Sequence, residues 1–205
     1  LEKYGNRNIG GIIQLVGMVK FDKYYRNIRT RSDLNVIGLA TTLLDDKKVI
    51  AQLCDAIKNC GLFIVVRPHP REEDLEFYRN LVDDNRLSLS LSKDEEVFDF
   101  LINIDLLLAS ESSIHLEATL LNVYPVYYKL GKDFTDYYSY IKMGLIKDVF
   151  FDQESVICFL KMIQVRGTDD VRDRSKFYNH VVGSEYDGLS AELIVDSVKE
   201  LLNNR

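Results

Sequence analysis

Leu62-Phe63-Ile64-Val65-Val66 runs directly into Arg67-Pro68-His69-Pro70-Arg71, and the fold turns on that junction. Five apolar residues in a row, three of them β-branched, predict a strand covered on both faces, as in a parallel sheet. Before it, Asp45–Cys60 sets Val49, Ile50, Leu53, Cys54 and Ile57 at helical spacing, and Gly61 ends the pattern. After it, Glu72–Asp83 predicts an amphipathic helix through Leu75, Tyr78, Leu81 and Val82.

The alternation continues outward in both directions. Asn35–Thr41 predicts a strand on the N-terminal side. On the other side, Arg86–Leu91 alternates as a strand near a sheet edge, and Asp94–Ile104 carries Val97, Phe98, Leu101 and Ile104 on one helical face. Asp105–Ala109 predicts another buried strand, Ile114–Leu121 a short helix, and Pro125–Tyr128 a strand. Strands and helices that alternate this way require right-handed crossovers, hence a mainly parallel sheet with helices on both faces. The expected fold is a Rossmann-like, three-layer α/β/α domain. Beyond Gly131 the pattern weakens, and only Glu154–Ile163 and Ser190–Leu202 read as helices.

Residues 1–33 differ from the rest. They are rich in Gly, Asn, Arg and Tyr, and Lys20–Arg31 is basic. They read as a connector with one short strand near Ile12–Val16, which leaves 34–205 as the domain proper. The chain begins at Leu1 rather than Met, which points to a fragment or a processed chain.

Composition narrows the function. With 46% hydrophobic residues the chain can bury a core, and a net charge of −6 disfavours a nucleic-acid groove. Cys54, Cys60 and Cys158 form no CxxC and read as reduced thiols, which suits the cytoplasm. No stretch is apolar and long enough for an integral membrane segment. No carboxylate cluster suggests a metal cage.

In an open parallel sheet, ligands bind beyond the carboxyl ends of the strands. Two such loops stand out. In the first, Pro68 and Pro70 hold the backbone extended around His69, with Arg67 and Arg71 on either side. Two guanidinium groups and an imidazole suit a phosphate or diphosphate; the plainer reading is a rigid turn. In the second, Ser110-Glu111-Ser112-Ser113 opens a helix, a place that favours anions, although one serine is needed there only as a cap. Glu117 lies one turn into that helix, where it either accepts the hydroxyls of a ribose or sugar or is simply solvated. Thr41 ends the first strand and either touches a ligand or caps. His115 reads as a surface or packing histidine. Tyr137, Tyr138 and Tyr140 form an aromatic cluster that reads first as packing and second as a platform for stacking a base.

Taken together, the strand–RPHP loop, the strand–SESSIHLEA loop and the Pro125-Val126 strand resemble the C-terminal, nucleotide-binding half of two-domain, GT-B-type glycosyltransferases. The similarity is to the bacterial surface-polysaccharide branch, with capsule and lipopolysaccharide transferases, sialyltransferases and CDP-glycerol glycerophosphotransferases. That branch holds donor phosphates with an His-Pro and a Ser-Ser motif, which match His69-Pro70 and Ser112-Ser113. Glu117-Ala118 before Asn122-Val123-Tyr124-Pro125 is similar to the segment in which a helix Glu binds ribose, although the glycine of the family's Gly-x-Pro turn is absent here.

The resemblance implies a nucleotide-activated sugar or glycerol donor as substrate, with no cofactor and no metal. It implies His69 as the catalytic group, and Arg67, Arg71, Thr41, Ser110, Ser112, Ser113 and Glu117 as donor ligands. It also implies that the acceptor glycan and the base come from a missing N-terminal domain, so that this part alone turns over little. Two other readings share the fold: a UDP-sugar 2-epimerase-like enzyme and a non-catalytic binding module.

Overall fold

The computed structural model describes residues 15–25, 27, 28, 30, 33–82 and 86–203. Its strands are β1 (Val36–Ala40), β2 (Phe63–Arg67), β3 (Leu87–Leu89), β4 (Leu106–Ala109), β5 (Tyr124–Tyr128) and β6 (Asp148–Phe150). They form one sheet in the order β3-β2-β1-β4-β5-β6, and every pairing is parallel. β1 is central: Ile37 is in register with Ile64 on one side and with Leu106 on the other. The chain leaves β1 to build one wing, then returns to its other side with β4. The strand order therefore reverses between β1 and β4, which opens a crevice at their carboxyl ends.

The helices are α1 (Asp22–Tyr25), α2 (Lys47–Asn59), α3 (Leu75–Leu81), α4 (Val97–Ile102), α5 (Ile114–Leu120), α6 (Gln153–Arg166) and α7 (Ser190–Asn203). Alternate residues of each strand feed two cores. Ile37, Leu39, Leu106 and Leu108 meet α2, α3 and α6 on one face. Ala40, Leu107 and Ala109 meet α1, α4 and α5 on the other. This is the expected three-layer α/β/α arrangement.

Two local features set the spacing of these layers. Gly38 faces α4, where an added Cβ would collide with Ile104 Cδ1 and lie 2.8 Å from Phe100 Cζ. At the foot of β4, the buried Asp105 carboxylate accepts from the backbone N–H groups of Asn35 and Val36, at 2.9 and 2.8 Å. It fixes the start of β1 against its neighbour.

The structure corrects several sequence expectations. The helix expected over Glu72–Asp83 starts only at Leu75, because Asp74 caps it by accepting from the Phe77 N–H; Asp83 lies outside the described residues. The helix expected over Asp94–Ile104 is Val97–Ile102, since the N–H groups of Asp94 and Glu95 turn back to the Leu91 carbonyl. β2 is not covered throughout, for Phe63 is 47% exposed. β3 is shorter than Arg86–Leu91 but does lie at the sheet edge. β6 was not anticipated; its three residues are only half-buried, and its place is set by pairing with β5. Residues 12–14 of the strand expected near Ile12–Val16 lie outside the described residues, and Leu15 and Val16 form no strand. Within the basic segment, Phe21 and Tyr24 are buried in the second core.

Candidate functional site

Because all strands run one way, the loops after β1, β2 and β4 share one end of the molecule. β2 and β4 both pair with β1, so their carboxyl ends sit about 10 Å apart, twice the strand spacing. The His69 loop and the serine loop thus flank the same crevice.

His69 is partly exposed, and its Nδ1 accepts from the Arg71 backbone N–H at 3.1 Å. That bond places the proton of the neutral imidazole on Nε2, which makes no hydrogen bond within the described residues. His69 lines a small recess of about 80 Å³ with Pro68, Pro70, Ser92 and Lys93. Pro70 and Ser92 are shared with a larger cleft of about 500 Å³, whose other walls include Lys20, Tyr24, Arg67, Phe98 and Glu117.

The remaining residues singled out in the sequence differ in availability. Arg67 borders the cleft but is buried; its guanidinium donates to Ser90 Oγ and, at 3.0 Å, to the Glu95 carbonyl, and lies over the Phe100 ring. Burial pushes its pKa down, against the pull of Glu95, Glu117 and Asp99. The Arg71 guanidinium is exposed and lines neither cavity. Thr41 is buried with its hydroxyl 3.0 Å from that of Tyr78. Ser110 donates to Asp45 Oδ1 at 2.8 Å. Ser112 Oγ accepts weakly from the Ile114 N–H at 3.4 Å, and Ser113 is exposed with no capping bond from its side chain. Neither serine lines the larger cleft; the residue of that helix that does is Glu117.

Glu117 Oε2 accepts from the Tyr24 hydroxyl at 2.7 Å, and Lys20 Nζ lies 4.0 Å from Oε1. Sequence reasoning missed Tyr24, Lys20 and Asp45. The interleaved lysines and aromatics of Lys20–Tyr25 were the signal for the first two, and nothing local marks Asp45, which is held by Thr42 and Ser110. Burial raises the Asp45 pKa in spite of those hydrogen bonds.

His115 is wholly buried, with Nε2 3.0 Å from the Ser110 carbonyl oxygen. It is a packing histidine, as one of its two readings had it. Tyr137 is 79% exposed, whereas Tyr138 and Tyr140 stack at 5.1 Å and Tyr140 is buried. Among the described residues no group of three or more His, Cys, Asp or Glu side chains is arranged to hold a metal ion. Among the same residues no helix is long and apolar enough to cross a membrane.

No family model and no curated protein matches the sequence. Solved structures do match the fold. A protein assigned as a UDP-N-acetylglucosamine 2-epimerase from Listeria monocytogenes superposes with a TM-score of 0.61 at 15% identity, over 93% of this chain and 54% of that one. The fold this chain shares with such structures is the Rossmann-like, all-parallel α/β domain. The wall teichoic acid polymerase TagF soaked with CDPG gives a TM-score of 0.50 at 17% identity, over 90% of this chain and 47% of that one. AviGT4, a glycosyltransferase of avilamycin A biosynthesis, gives 0.50 at 12%, over 88% and 56%. This chain spans about half the length of each.

Proposed function

We propose that this chain is the donor-binding domain of a metal-independent glycosyltransferase of surface-polysaccharide synthesis, with a nucleotide-activated sugar or a CDP-glycerol-like donor as substrate. The observation that carries the reading is that His69, in the loop after β2, and Glu117, on α5 after β4, border two recesses that meet at Pro70 and Ser92. In this reading residues 1–33 lead in from an N-terminal half that supplies the acceptor glycan and the base, and 34–205 bind the donor in the cytoplasm. The chain alone binds donor and turns over little.

The chemistry assigned to each group follows from its surroundings. His69 Nε2–H donates to a donor phosphate oxygen and stabilises the charge that builds on the leaving diphosphate as the glycosidic bond breaks. Arg71, unpaired among the described residues, adds a mobile cation. Ser112 and Ser113 offer hydroxyls to phosphate oxygens. Arg67, already committed to Ser90 and Glu95, contributes positive potential more than direct contact. Glu117 accepts from ribose hydroxyls in the larger cleft.

Thermal-shift and calorimetric titration with CMP, CDP, UDP, GDP and their sugar or glycerol conjugates test this. One nucleotide series should raise the melting temperature, and His69→Ala should weaken that nucleotide by about 10–100-fold, the worth of a hydrogen bond to a charged group. Equal affinity in His69→Ala removes the assignment. The superposition on 2-epimerases keeps a second enzyme class in view: conversion of a UDP-sugar by the full-length protein without any acceptor would replace transfer by epimerisation. If no nucleotide binds, the binding-module reading replaces both.

A further inference from the structure

We infer that Tyr24 is a positioning residue for Glu117, holding one carboxylate oxygen so that the other is presented to ligand hydroxyls. The inference rests on the donor-binding reading above. The two oxygens of Glu117 are not equivalent. Oε2 takes the Tyr24 hydroxyl at 2.7 Å, while among the described residues Oε1 has only Lys20 Nζ, at 4.0 Å, beyond hydrogen-bond range. The carboxylate keeps 18% of its side-chain exposure and lies in the wall of the larger cleft. One oxygen is thus engaged from within, and the other retains its full acceptor capacity toward the cleft.

Tyr24 is itself held firmly enough to do this. Its ring is 4% exposed and stands edge-on to Phe21 and to Phe98, with centroids 5.4 and 5.2 Å away. On the same helical turn, Lys23 bonds Glu96 at 2.8 Å. Asp22 accepts from the N–H groups of Ser190 and Ala191 at the start of α7. Behind it, Gly188 approaches Tyr25 so closely that a Cβ there would lie 2.5 Å from the tyrosine Cβ. A glutamate free in solution samples many rotamers, and freezing them on binding weakens affinity. A phenol held edge-on by Phe21 and Phe98, on a turn anchored through Lys23 and Asp22, reduces that loss before the ligand arrives. A purely structural bond would instead fasten the segment to α5 and leave ligand selectivity alone.

The test compares ribose with ribose lacking its hydroxyls. Calorimetry measures CDP and UDP against their 2′,3′-dideoxy forms on the whole chain, for the wild type, Tyr24→Phe, Glu117→Gln and the double variant. Wild type should favour the ribonucleotide by about tenfold or more, the worth of a hydrogen bond to a carboxylate. Tyr24→Phe should reduce that preference severalfold and leave dideoxy binding unchanged. Glu117→Gln should abolish it, with nothing further lost in the double variant. An unchanged ratio in Tyr24→Phe, or equal weakening of both ligands, overturns the positioning role while the donor site stands. Tighter binding in Tyr24→Phe overturns it too, because the phenol would then be blocking the carboxylate. A wild type that binds none of these nucleotides overturns both the donor-binding reading and this one.

Discussion

His115 Nε2 lies 3.0 Å from the carbonyl oxygen of Ser110, so the helix that carries Glu117 is tied from beneath to the loop after β4. The imidazole is only 1% exposed and stands edge-on to Tyr140. Burial lowers its pKa from 6.5 to about 4, and the Ser110 and Ala109 carbonyls only partly oppose the shift. The sign follows directly. Between pH 6.5 and about 4 the unfolded chain takes up a proton that the folded chain refuses, so stability falls as pH falls. The loss from this group reaches about 3 kcal/mol and levels off below pH 4. Denaturant titrations across that range should show the slope, and His115→Gln should lack it.

Gly38→Ala should destabilise the fold by about 1–3 kcal/mol. The new methyl meets Phe100 and Ile104, which are 1% and 0% exposed and have nowhere to swing. The melting temperature should drop by about 2–4 °C for each kcal/mol lost. A melting temperature equal to that of the wild type would show that α4 slides off the sheet at no cost.

Asp105→Ala leaves the N–H groups of Asn35 and Val36 without their carboxylate at the foot of β1. Because the two donors are only partly buried, the loss should be about 1 kcal/mol in all, the net worth of a hydrogen bond rather than the penalty of a fully buried orphan. Urea unfolding should register the loss with an unchanged m-value. Asp105→Asn, which keeps one carbonyl acceptor, should recover part of it.

Asp22→Ala removes the carboxylate that caps α7 from 168 residues away. The expected penalty is about 1 kcal/mol, as for other helix caps. Hydrogen exchange should speed up first in the opening turn of α7. If Tyr24 positions Glu117 through this anchored turn, the preference for ribonucleotides should fall in the same variant.

The central sheet was legible because its signal is local. β1, β2 and β4 are short apolar runs between helical stretches, and burial on both faces demands such runs. The two candidate loops were legible because proline and serine clusters after a buried strand are chemically conspicuous. β6 was not, since Asp148-Val149-Phe150 carries no pattern of its own and is a strand only because β5 offers it an edge. The start of α3 was set too early because an acidic residue can open a helix or cap it from outside, and that of α4 because Asp94 and Glu95 turn back to Leu91; spacing alone separates neither case. The pairing of Tyr24 with Glu117 was hidden for a different reason. The two lie 93 residues apart, and no window of sequence brings a basic turn and a helix glutamate together. The occupied state of Arg67 was hidden likewise, because Ser90 and Glu95 reach it only once β3 lies beside β2.

The central seat of β1 also governs how the chain must be made. Its partner on one side, β2, follows within a few dozen residues, but the other edge, Ile37 to Ala40, stays bare until Leu106–Ala109 is synthesised. During that interval the nascent polypeptide displays an apolar strand with open backbone donors and acceptors, the kind of surface that recruits stray strands. A translation product truncated before Leu106 should therefore precipitate or bind chaperones, whereas one that extends through β4 closes the sheet's middle and escapes that fate.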